Sequence, residues 1–360
     1  MDHKDVTVVI PTKNRYESTL PMTLMSVINQ TVLPKKIIIV DDSDDGYRTD
    51  LRGVWLYKTI FKTMDLKNIQ WEVAFGPRKG VAWCHQIGLD KSETEWVWRL
   101  DDDNIAEPNV LQELLRTGED KTTSPLPVGA VAGLVIDPHN ILETIPIIAS
   151  NKIEDWELSL NIQWFRQGHR GNYSVDHLYS SFLYRRRAGS HGFPKDLSPV
   201  SHTEETQFSF GMKLSGWDLI INPTVTTWHY RNSSGGIRTY TDGSLWAHDS
   251  YKFKEWLKTH GISLKKYRIV ILDNGLGDHI CFHKILPEIR GKYHDHTIVI
   301  SCCYPEVFQD EPDIKIISIA DAQVFMGINV EGYNIYKFMN DHQWSGSIVD
   351  AFRKLYGLTA

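Results

Sequence analysis

Three consecutive aspartates, Asp101-Asp102-Asp103, close the apolar run Trp96-Val97-Trp98-Arg99-Leu100. Like charges at a strand end repel one another and are costly to strip of water. A divalent cation held by oxygen ligands relieves that cost; a solvated acidic turn is the alternative. A second apolar run, Lys36 to Val40, also ends in acids, Asp41-Asp42. In open α/β sheets, ligands sit outside the carboxyl ends of the strands. Two acidic strand ends on one edge therefore point to a hard metal ion carrying phosphates. Farther on, Glu204-Glu205 stand where a helix must begin, with Ser201 or Thr203 as its cap and the glutamates suited to its dipole. His229 follows an apolar run and, taken alone, reads as an ordinary core or surface histidine. The triplet Arg185-Arg186-Arg187 reads as a solvated edge or as an anion-binding patch.

The elements that must position these residues alternate. Val6–Ile10, Lys36–Val40, Trp71–Phe75 and Trp96–Leu100 read as buried strands, and Leu20–Gln30 and Gly80–Leu89 as helices between them. Such alternation predicts a mostly parallel sheet flanked by helices. Glu107–Arg116 reads as a helix, and Val128–Ile136 and Leu178–Tyr184 as strands. Residues 144–167 show no clean period. The helix opened by Glu204 runs to Gly216. Two short strands follow, Leu219–Ile221 and Val225–Trp228, divided by Asn222-Pro223. Residues 231–236 read as a flexible Ser/Gly-rich loop, and Trp246–His260 as a helix. The pattern then restarts after Ile262. Strand Arg268–Leu272, the loop Asn274-Gly275-Leu276-Gly277-Asp278, a helix to about Tyr293 and strands Thr297–Ser301 and Ile314–Ile319 make a small Rossmann-like α/β unit. The expected domains are 1–262 and 263–360.

Composition narrows the function classes. The 360 residues are 41% hydrophobic and 23% charged with a net charge of -6, ordinary for a globular protein. That balance argues against a global electrostatic grip on nucleic acid or an anionic membrane. The four cysteines lack metal-site spacing, so reduced thiols and a cytoplasmic location are expected. Cys302-Cys303 read as strand residues rather than a redox pair. No apolar run reaches the roughly 18 to 20 residues of a membrane span.

Val8-Val9-Ile10-Pro11-Thr12-Lys13-Asn14-Arg15, Val40-Asp41-Asp42, Leu100-Asp101-Asp102-Asp103, Glu204-Glu205, Gly216-Trp217, Pro223 and His229 resemble, in that order, the signature of family 2 glycosyltransferases with the GT-A fold. The resemblance spans roughly residues 5–232. It implies a metal-dependent, inverting transfer of sugar from a nucleotide-diphosphate donor, by default a UDP-sugar, to an acceptor hydroxyl. A saccharide acceptor is expected rather than a nucleic acid. It implies Asp103 and His229 as ligands of Mn2+ or Mg2+, and Asp101 facing the ribose or sugar. Asp102 serves the turn beside the donor. Asp41 and Asp42 would receive base and ribose beside Pro11, Thr12, Asn14 and Arg15, with Lys79 joining from the turn before the Gly80–Leu89 helix. The base would be Glu205, with Glu204 as the alternative, because the family's usual Asp is a Glu here. Cys84-His85-Gln86 departs from the family's Ala-Arg-Asn. Residues from about 267 to 320 are similar to the N-terminal half of heptosyltransferase-like GT-B enzymes, which implies an accessory role in acceptor binding or self-association. A non-catalytic module of the same fold, binding carbohydrate or nucleic acid through Arg185–Arg187 and tryptophans, is the competing reading.

Overall fold

A computed structural model describes residues 3–139, 150–158, 162–230, 235–236, 243–319, 330–332 and 334–358. The chain divides into two compact units, residues 1–145 with 161–262 and residues 146–160 with 263–360. Residues 146–160, inside the first expected span, thus group with the second unit. There Asp155 accepts hydrogen bonds from Tyr267 Oη (2.5 Å) and Lys265 Nζ (3.1 Å).

The first unit opens with strict alternation: β1 (His3–Thr12), α1 (Thr19–Ile28), β2 (Leu33–Asp41), α2 (Trp55–Leu66), β3 (Gln70–Phe75), α3 (Val81–Asp90) and β4 (Trp96–Arg99). It continues with β5 (Asn104–Ala106), α4 (Val110–Glu119), β6 (Val128–Ile136), β7 (Tyr173–Val175), β8 (Phe182–Arg185), α5 (Glu204–Leu214), β9 (Asp218–His229) and α6 (Gly243–Thr259). Among the described residues these strands form one sheet in the order β3-β2-β1-β4-β8-β6-β9-β5, with β7 beside β9. Strands β3, β2, β1 and β4 run parallel. Helices cover both faces of such strands, so β1 is buried from Val6 to Thr12. Leu20, Leu24, Val27 and Ile28 of α1 repeat at helical spacing and join Val8, Ile10, Ile37 and Trp98 in the core. Gly88 lets α3 lie close on β1, because a Cβ there would strike Val9.

The sequence reading missed α2, although Tyr57, Ile60, Phe61 and Met64 are buried at helical spacing. It split β9 at Asn222-Pro223, whereas the strand is continuous. The register against β6 shifts between Ala132 and Leu134, and that irregularity accommodates a residue with no N–H to give. The arginine triplet clamps its neighbours. Arg185 lies 4.2 Å over the Trp96 ring and pairs with Glu95, Arg186 Nε donates to the Thr94 carbonyl (3.2 Å), and Arg187 lies over Trp217. Of the expected loop at 231–236, residues 231–234 lie outside the described residues.

The second unit has β10 (Lys266–Leu272), α7 (Leu276–Lys292), β11 (His296–Cys302), β12 (Lys315–Ile317), β13 (Val330–Gly332), α8 (Ile335–Asp341) and α9 (Ile348–Leu355). Its sheet is parallel, in the order β12-β11-β10-β13. Phe282, Ile285, Leu286 and Ile289 of α7 are buried at helical spacing against Val270 and Ile300.

Candidate active site

Parallel register puts the carboxyl ends of the first strands on one edge. Thr12 pairs with Asp41, Asp41 with Phe75, and Val9 with Arg99. The chain leaves β4 into Asp101-Asp102-Asp103 and returns at once as β5. β5 runs antiparallel to the end of β9, with Asn104 opposite His229 and Tyr230 N donating to the Asp103 carbonyl (2.8 Å). That pairing carries His229 across more than a hundred residues of sequence to Asp103. His229 Nε2 stands 3.4 Å from Asp103 Oδ1.

The three aspartates divide. Asp103 Oδ2 and Asp102 Oδ1 both meet Arg15 Nη1, at 2.8 and 2.6 Å. Thr12 Oγ1 donates to Asp102 Oδ2 (2.6 Å), so both Asp102 oxygens are held by the chain. Burial, reinforced by the charge of Asp103, pushes Asp102 up to about 6 against the pull of Arg15. Asp101 turns the other way. Its Oδ2 accepts from Ser180 Oγ (2.8 Å), while Oδ1 lies 3.6 Å from both Arg99 Nη2 and His85 Nε2. Burial would raise Asp101, but Arg99 and hydrogen bonding hold it below the ordinary carboxylate range. His85 is buried against Phe193, and burial lowers it to about 4, so it is neutral at physiological pH.

The other acids on this edge serve the loops. Asp41 is fully buried, accepting from Tyr16 Oη (2.5 Å) and Ser43 N (2.9 Å). Asp42 accepts from the backbone N–H groups of Arg78 (2.5 Å) and Gly80 (3.1 Å). Gly80 sits at φ 103° with Pro199 against it, where no side chain fits. Pro11 is part of β1, and Asn14, at φ 56°, bonds Asp44. Lys79 is exposed and lies 4.9 Å over the Trp83 ring, and among the described residues no ion pair joins it to the aspartates.

Helix α5 brings the glutamates, both in its first turn. Thr203 occupies the cap position at φ 73° yet makes no side-chain capping bond, contrary to expectation. Glu204 is buried, and its Oε1 accepts from Arg99 Nη2. Glu205 is half-buried and lies in the fields of Arg99, Asp101 and His229. Burial raises its pKa, with Arg99 and His229 opposing. Asn14, Arg78, Ser180, Ser201 and Thr203 all hold positive φ without being glycine. Such strain gathers at functional sites and persists only where the surroundings enforce it.

Sequence reasoning missed Arg99 and Ser180. Arg99 had a signal: a charge inside a buried apolar run must have partners. Ser180 had none, because its left-handed backbone is invisible in the sequence.

An α/β sheet of this order, with acids on its carboxyl edge and a glutamate pair opening a helix beside them, is of the GT-A class. The model of Glycosyl transferase family 2 matches residues 7–187, and the chain belongs to that family. It is 30% identical over 122 residues to poly(ribitol-phosphate) beta-N-acetylglucosaminyltransferase TarP of Staphylococcus aureus (strain N315), a match covering 33% of this chain. The chain spans 35% of the length of that curated relative. Among solved structures it is similar to S. aureus TarS 1–349 in complex with UDP-GlcNAc (15% identity, TM-score 0.45, 65% of this chain and 60% of that one). It is also similar to GalNAc-T7 with UDP, GalNAc and Mn2+ (17%, 0.49, 98% and 58%). Among the described residues no helix is long and apolar enough to cross a membrane.

Proposed function

We propose that the chain transfers a sugar from a nucleoside-diphosphate donor to an acceptor hydroxyl, with inversion, using Mn2+ or Mg2+. The observation that carries this reading is the meeting of Asp103 and His229, which strand pairing brings within 3.4 Å. The carboxylate suits Mn2+ or Mg2+, and the imidazole beside it favours Mn2+ over the harder, oxygen-seeking Mg2+. Among the described residues no three His, Cys, Asp or Glu side chains cluster to hold a metal. Asp103 and His229 would hold the ion. The ion, when bound, neutralises charge on the diphosphate as it leaves.

The chain's own groups do the rest. Arg15 holds Asp102 and Asp103 in place, and Asp101, fixed by Ser180, faces the donor. Glu205 accepts the proton of the acceptor hydroxyl, and its raised pKa suits that task. Glu204, closed off by Arg99, is the weaker candidate for the base. With one base and no placed nucleophile, a single displacement inverts the anomeric carbon.

The name of TarP makes N-acetylglucosamine and a poly(ribitol-phosphate) acceptor the first substrates to try. Calorimetry with UDP and GDP, with and without Mn2+, tests the proposal. Nucleotide binding that requires the metal is expected. Binding of polymer with no nucleotide binding under either condition would mark a non-catalytic module.

A further inference from the structure

We propose that Arg99 is the positioning residue of the reaction: it ties the strand that carries Asp101 to the helix turn that carries Glu205. The inference deepens the function proposed above and rests on it. Arg99 is buried between Trp98 and Leu100. Its Nη1 donates to the Ser180 carbonyl, and its Nη2 donates to Glu204 Oε1 and lies 3.6 Å from Asp101 Oδ1. The Phe182 ring packs beneath it, 5.6 Å from the guanidinium carbon. One planar fork therefore touches three separate pieces of chain: the end of β4, the strained Ser180 and the first turn of α5. A guanidinium presents its donors in a fixed plane, so it sets angles as well as distances, which an ammonium does not.

Two further observations place the function of this contact on the helix. The α5 terminus has no side-chain cap, and the Glu204–Arg99 pair ties its first turn to β4. Glu204 Oε2 is buried without a hydrogen-bond partner. Glu204 is thus committed inward, and its neighbour Glu205 is left to face the acceptor. Loss of Arg99 would free the turn and leave the buried Glu204 carboxyl without its partner. It would displace the base from Asp101 without touching the nucleotide.

The test uses the full chain and the variants Arg99→Met, Arg99→Lys and the neutral pair Arg99→Met with Glu204→Met. Three quantities are read: turnover of UDP-GlcNAc, Mn2+-dependent UDP affinity, and hydrogen exchange of the amides at 204–208. In Arg99→Met, kcat is expected to fall about a hundredfold while UDP affinity stays within about threefold, as for a base moved by about an ångström. Exchange at 204–208 should quicken. Arg99→Lys should recover part of the protection but little of the rate. The neutral pair removes the unpartnered carboxyl, so it should fold with kcat still low. Wild-type kcat in the neutral pair would overturn the proposal and reduce Arg99 to a charge balance. So would an equal loss of UDP affinity in Arg99→Met. If the unmodified chain turns over no sugar nucleotide, the functional reading fails; unchanged exchange at 204–208 in Arg99→Met then overturns the positioning role separately.

Discussion

Each unit has a sheet whose first strand pairs in parallel with both neighbours and runs into a polar loop and a helix, and the two edges differ in what their acids do. In the second unit, Asp278 lies in the first turn of α7. It accepts from Gly275 N (3.0 Å) and from Tyr336 Oη (3.0 Å to either oxygen), so the chain satisfies it. In the first unit, His85 Nε2, Arg99 Nε, Asp101 Oδ1 and Glu204 Oε2 are buried with no hydrogen-bond partner. Four such atoms around one strand end are costly. The acid closes a helix cap in one unit, where the neighbouring His279 Nε2 is left unsatisfied, and belongs to an incompletely satisfied, charged site in the other. A glycine-and-acid loop after a strand is therefore informative only once its hydrogen bonds are counted.

Substitutions can break or sharpen that contrast. Glu205→Gln should lower turnover about a thousandfold, the scale of a lost general base, with UDP affinity nearly intact. If Glu204→Gln does this instead, the base is one residue earlier. Asp103→Asn should weaken Mn2+-dependent UDP binding by tenfold or more, since a first ligand outweighs the roughly 10–100-fold effect of outer partners. Titration calorimetry that shows metal dependence unchanged would remove Asp103 from the metal's ligands.

Acid should destabilise the fold through its buried and half-buried histidines. Burial lowers His85, His177 and His202 to about 4. A base depressed in the folded state contributes stability that is fully present above its unfolded pKa, near 6.5. That stability is lost as pH falls from about 6.5 toward about 4. For His85 alone the loss amounts to about 3 kcal/mol. Melting temperature should fall across that window, and less so in His85→Gln.

Arg185→Ala tests the clamp at the end of β8. It should cost about 1 kcal/mol through the stacking on Trp96 and the pair with Glu95, with turnover unchanged. A loss of polymer binding instead would restore the anion-patch reading. The smallest effect is expected in the second unit, where Asp278→Asn should leave turnover within about twofold, as for sites with no shared partners. A larger loss would make that edge part of the reaction.

The alternation of strands and helices was legible because period and punctuation are local properties. The acids at the strand ends were legible for the same reason, as was the order of motifs that family 2 shares. Residues 146–160 were not legible as part of the second unit, because pairing such as that of Asp155 with Tyr267 joins chain segments far apart in sequence. Nor was the choice between adjacent carboxylates. Asp41, Asp42, Asp101, Asp102 and Asp103 are chemically alike in the sequence. Tyr16, the backbone of Arg78 and Gly80, Ser180, Thr12 and Arg15 give each a separate task. The sequence by itself determined the class of fold, the acidic edge and the candidates for metal and base. Only the tertiary structure decided that His229 reaches Asp103 and that Glu204 turns inward to Arg99. Those outcomes depend on strand register and on burial, which bring together groups more than a hundred positions apart.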